Sequence, residues 1–191
     1  MSQLKFSGNL FTRRALLCRD VPGLSTAGGQ ASLGTLLTEP DFALASFLLS
    51  VLGEGTFLTL LWFLVEHAPD PLTREIARLA AHDEARHVAF GVAHLQAHLA
   101  VEPDLRVRLV NAVNRRHDAL AGTAGLNEEV YDALLLLAAG GWGHDQLAAG
   151  AAAVTRLVAD MDEQRQQRLR LLGFGDEEAR ALSSLHTRNF M

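Results

Sequence analysis

The chain has a single cysteine, Cys18, so no intrachain disulfide can form and a reducing compartment fits. Aromatic residues are only 6% of the sequence although hydrophobic residues reach 49%, so any core must be aliphatic. Alternating β-branched runs are scarce, which argues against sheet. Cationic excess is missing as well. The net charge is −5 and no Lys/Arg-rich tract occurs, which removes the electrostatic footprint of nucleic-acid binding and of an anionic lipid surface. The opening "MSQLKFSGNL" lacks the apolar run of a secretory signal, so a cytoplasmic location is the expectation. There is no internal repeat and no low-complexity segment.

Leucine and alanine dominate instead, and both favour helix. An all-α fold of one domain is expected for 191 residues. Residues 1–40 read as irregular with short helices: "FTRRALLCR" offers two turns, "VPGLSTAGGQ" a loop and "ASLGTLL" another short helix. Residues 41–172 read as the helical domain, and 173–191 as a short helix and tail. Within the domain, a first helix runs from Phe42 to Val65. Pro69 ends it, and Asp70-Pro71 supplies an N-cap with proline at the first helical position. A second helix is predicted from Pro71 to Leu99, a third from Pro103-Asp104 to Ala121, and a fourth from Asn127, broken at "GGWG" 140–143. A charged helix follows to Leu172, with "EQRQQRLR" at 163–170 as a solvated face, and then a short helix capped by Asp176.

Segment 42–65 is long enough to span a bilayer, but Glu54 would sit at the bilayer centre and no Lys or Arg closely flanks the run. A buried core helix is the reading it favours.

The unusual stretch is "AHDEARHVAF" at 81–90. On a helical wheel Ala77, Ala80, Val88, Gly91 and Leu95 fall within about 40° of Glu84, a small apolar face expected to pack inward. Glu84 and His87 point with it, whereas His82 and Arg86 look outward. Glu54, the only charge in 42–65, lies fifteen residues before Pro69, and Glu84 lies fifteen after it. An antiparallel hairpin therefore brings both carboxylates level, roughly 22 Å from the turn. Two glutamates and a histidine converge between two helices, an oxygen-rich set suited to iron or manganese. A lone Glu-x-x-His spacing is weak by itself; its conjunction with a level glutamate is what singles it out.

Glu54 followed by Asp83-Glu84-Ala85-Arg86-His87 resembles one half of a ferritin-like di-iron carboxylate site. The Asp-Glu-x-Arg-His run is similar to that of bacterial di-iron monooxygenases, the ribonucleotide reductase small subunit and p-aminobenzoate N-oxygenase-type proteins. The resemblance covers residues 42–99. It implies a ferritin-like helical bundle built on a long antiparallel hairpin. Glu54 would be a terminal carboxylate ligand, Glu84 the bridging one and His87 the imidazole ligand. Asp83 would orient a histidine, with Arg86 as its ion-pair partner. The cofactor would be iron, di-iron or manganese–iron, serving an oxygenase or oxidase with an unnamed small-molecule substrate and electron donor.

Only His87 among the eight histidines has a carboxylate three residues before it, so a second half of the site is missing. Asp118, Glu128, Glu129, Asp132 and His144 lack the spacing. Three arrangements remain open: a homodimer that completes the site, a longer protein of which this is the C-terminal half, or a relic of a metal site. Ferroxidase or storage chemistry is the alternative to oxygenase chemistry, and a non-catalytic bundle is the third reading. His94 and His98 are read as packing histidines, His144 and Asp145 as structural, and Cys18 as no nucleophile.

Overall fold

Pro71 begins the longest helix of this protein, and the capping chemistry around it sets the architecture. The computed structural model describes residues 27–122 and 128–186. Among them there is no strand, and seven helices follow in order. These are α1 Ala27–Leu37, α2 Phe42–His67, α3 Pro71–Leu99, α4 Leu105–Leu120, α5 Glu128–Ala139, α6 His144–Leu171 and α7 Asp176–Ser184.

The α2–α3 reversal is made by local rules. Ala68 leaves helical geometry, and Asp70 accepts from the Thr73 amide at 2.9 Å and from its hydroxyl at 2.7 Å. Pro71 then takes the first position, where a missing N–H costs nothing. The Arg74 side chain donates to the Ala68 carbonyl at 2.6 Å and ties the turn down. α2 packs along α3 on one side and along α6 on the other.

The aliphatic core is in two parts. One gathers Phe47, Val51, Leu95, Leu105, Leu109 and Leu169 between the first half of α2, the end of α3, α4 and the end of α6. The other joins Phe63 on α2 to Leu134 on α5 and Ala153, Leu157 and Met161 on α6. α5 and α6 form a second hairpin whose turn uses Gly140 at φ +61°, a conformation an L side chain resists. α2 is long and apolar enough to cross a bilayer, and here its Phe47 and Val51 are fully buried among neighbouring helices.

Three expectations from the sequence are overturned. The "AGGQ" part of the expected N-terminal loop belongs to α1; residues 1–26, with Cys18, lie outside the described part. Gly175, not Asp176, caps α7. The run at 163–170 is not a uniformly solvated face, since Arg165 and Arg168 are 6% and 7% exposed. They continue the stripe of Leu157 and Met161 into Leu172, at helical spacing, and so turn toward α2.

Candidate metal centre

The first half of α2 is not regular. Phe47–Glu54 winds as a π-helix, ending on Glu54 itself, and α-helix resumes at Gly55. Such wide turns leave carbonyls poorly met and recur at functional positions. Here the Arg168 Nε–H donates to the Val51 carbonyl at 2.8 Å, and the Thr56 hydroxyl donates to the Leu52 carbonyl at 2.7 Å. Across the groove Gly91 of α3 lets Ser50 come close, for a Cβ at position 91 would stand 2.5 Å from the Ser50 Cβ. The two helices are therefore in tight contact one turn from Glu54.

The hairpin brings Glu54, Glu84 and His87 together. One potential ligand atom from each lies within 4.8 Å of the others. His87 Nδ1 is 3.2 Å from Glu84 Oε2 and 3.9 Å from Glu54 Oε1. Among the described residues no other cluster of His, Cys, Asp and Glu has this proximity.

The burial of the trio differs from the sequence expectation. The Glu54 and Glu84 side chains are 21% and 24% exposed, but His87 is 59% exposed, so the imidazole is not in a dry interior. The reason is a rotation. The buried stripe of α3 is centred on Ala81, Val88 and Leu95, about 40° from Glu84 in the direction away from His87. Glu84 becomes the edge of the packed face and His87 the rim of the open one. Ala80, expected inside, is half-buried.

Asp83 and Arg86 form an ion pair with each other, and both are exposed. The hydrogen bond of Asp83 goes to Arg86 on the outward side rather than to His87. His82 is exposed, with its ring edge-on to Trp62 at 5.7 Å between centroids. His94 stacks on Phe90 at 5.9 Å, and His98 pairs with Glu102 at 2.7 Å, so neither belongs to the trio. His144 and Asp145 lie on the surface at the start of α6.

Whether the trio suits a cation is tested by its unsatisfied atoms. Glu54 Oε2 is buried and has no hydrogen-bond partner. A buried carboxylate oxygen left in that state is costly, and a cation is one way to satisfy it. Two carboxylates and an imidazole are hard and borderline donors that fit iron or manganese.

The reverse face of α2 meets groups on α6 and α7 that sequence reasoning missed. Arg165 donates to Ser183 Oγ at 2.9 Å and Thr56 Oγ1 at 3.1 Å, with Asp162 at 3.7 Å. Burial holds the guanidinium groups of Arg165 and Arg168 down to about 10. A cavity of about 30 Å³ lies beside Arg165, lined also by Arg116, His117 and His186. Burial pushes the His186 imidazole down to about 3, and the nearby Arg165, Arg116 and Arg168 push the same way.

No family model, no curated protein and no solved structure matches this chain.

Proposed function

We propose that Glu54, Glu84 and His87 form half of a carboxylate–histidine metal centre in a ferritin-like helical protein of the di-iron oxygenase or oxidase kind, loaded with iron or a manganese–iron pair. The observation that carries this reading is the convergence of ligand atoms from the three side chains to within 4.8 Å of one another, beside a Glu54 carboxylate whose Oε2 is buried and unpartnered. Bound iron would supply one-electron chemistry toward dioxygen.

The protein's own contributions are positional. The π-turn that ends at Glu54 is braced by Arg168 at the Val51 carbonyl and by Thr56 at the Leu52 carbonyl, so the backbone that carries the Glu54 side chain is fixed before any ligand arrives. Glu84 and His87, one helical turn apart on α3, offer a carboxylate oxygen and a ring nitrogen to the same point. The open side at His87 is the path by which metal, dioxygen and a small substrate reach that point.

Iron per chain after anaerobic reconstitution tests the reading. The wild-type protein should retain iron through desalting, and Glu84→Ala with His87→Ala should lose it while keeping its helical circular dichroism. Equal retention in both would overturn the assignment.

The exposure of His87 favours a second reading, Fe(II) oxidation for iron handling, because an open rim suits metal exchange. Dioxygen uptake driven by Fe(II) alone, at many iron atoms per chain, would select it. Uptake limited to the resident metal would select the oxygenase reading.

A further inference from the structure

Among the described residues, a second face of α3 has no partner. Leu72, Ile76, Leu79 and Phe90 are between 52% and 64% exposed, and Asp83 and Arg86 stand exposed between them. Their spacing alternates between four and three residues and continues through Ala93 and Ala97, both exposed. All eight fall within one sector of about 100° on the wheel. This is the seam pattern of paired helices, on the side of α3 opposite the one that packs on α2. A lone surface helix has no need of such a stripe, and patches of this kind mark contact sites.

The stripe reads the same in both directions. Leu72 with Ala97, Ile76 with Ala93, Leu79 with Phe90, and Asp83 with Arg86 have residue numbers that add to one total, 169. Two antiparallel copies of α3, centred between Glu84 and Ala85, would therefore place each member of a pair opposite the other. Large residues meet small ones at both ends, Leu79 meets Phe90 inside them, and Asp83 meets the Arg86 of the second copy at the middle. A two-fold interface demands this self-complementarity, in which residue i contacts j and j contacts i.

We infer that this face of α3 is the contact surface of an antiparallel two-fold dimer, and that its occupant is a second copy of this chain. Each Arg86 guanidinium then lies between its own Asp83 and the partner's, and four alternating charges close the centre of an otherwise apolar seam. The consequence for the metal centre rests on the reading proposed above. His87 stands at the rim of the stripe, facing the partner's Ala80, a small residue that leaves room beside the ring. Helical rise puts the two Glu84–His87 sites level within about 3 Å along the axes. The partner's α3 thus comes up beside the exposed His87 of each trio, while each Glu54–Glu84 pair stays on the α2 side of its own α3.

The full-length chain, metal-free and iron-loaded, tests this by multi-angle light scattering at tens of micromolar. Twice the chain mass in both states is expected; a monomer in both overturns the dimer. Asp83→Arg alone and Arg86→Asp alone should each give monomers, and the two together should restore the dimer. Insensitivity to the single reversals overturns the register. In a Cys18→Ser background, Leu79→Cys with Phe90→Cys should oxidise to a covalent dimer, since those positions are too far apart on one helix to bond to each other. No cross-link in a dimeric protein also overturns the register. The outcomes separate the two proposals. A cross-linked dimer that retains no iron supports the seam and sinks the metal reading, whereas a monomer that retains iron does the reverse.

Discussion

Arg168 occupies the space that a side chain at position 55 would need. A Cβ on Gly55 would lie 2.3 Å from Arg168 Nε, and that nitrogen is pinned to the Val51 carbonyl at 2.8 Å in a buried site. A flexible tip could swing aside, but a pinned and buried guanidinium cannot. Gly55→Ala should therefore destabilise the fold by about 1–3 kcal/mol despite the better helix propensity of alanine. Urea unfolding of Gly55→Ala, Arg168→Ala and the double variant checks this. The double should cost less than the two singles together, because they share one conflict.

Gly91 has the same relation to Ser50 on the side of α2 that faces α3, where an added Cβ would come within 2.5 Å. Both contacting atoms belong to short groups near their backbones, so Gly91→Ala must push α2 and α3 apart. Iron retention should fall together with stability, the latter by about 1–3 kcal/mol. Ser50→Gly in the Gly91→Ala background should return both. Recovery of stability without recovery of iron would show that the helix spacing does not govern the site.

His186 titrates at about 3 when folded against an ordinary 6.5, held down by burial and then by Arg165, Arg116 and Arg168. Below pH 6.5 the unfolded chain takes up a proton that the folded chain refuses. Stability is thus lost as pH falls from 6.5 toward 3, with a slope approaching about 1.4 kcal/mol per pH unit. His186→Gln removes this contribution. The wild-type-minus-variant stability, from urea melts between pH 7 and 4.5, should decline with falling pH; a flat difference would contradict the assignment.

The α2–α3 reversal predicts a smaller effect. Asp70→Ala removes the cap on the Thr73 amide and should cost about 1 kcal/mol, read as a lowered thermal midpoint. Asp70→Ser should recover most of it, because a serine oxygen can accept the same N–H.

The hairpin was legible because its signals are local. Asp70-Pro71 dictates a cap, Pro69 stops α2, and equal chain lengths on either side bring Glu54 level with Glu84 whatever else the fold does. The buried arginines were partly legible. Arg165 and Arg168 sit at the positions where the stripe of Leu157 and Met161 must continue, and reading the run by composition instead of phase concealed this. The π-turn carried no such signal, for Phe47–Glu54 is as apolar as an ordinary core helix.

By itself, then, the chain determined the helices, the reversal and the meeting of two carboxylates with an imidazole, all consequences of fixed rise and turn over short distances. Tertiary packing alone decided how α3 is rotated against α2. A rotation of about 40° moves His87 from the packed face to the rim and exposes the stripe through Asp83 and Arg86. Periodicity fixes angles within one helix, but the direction of the neighbouring axis is set by contacts such as Ser50 with Gly91 and Gly55 with Arg168, between residues far apart in sequence.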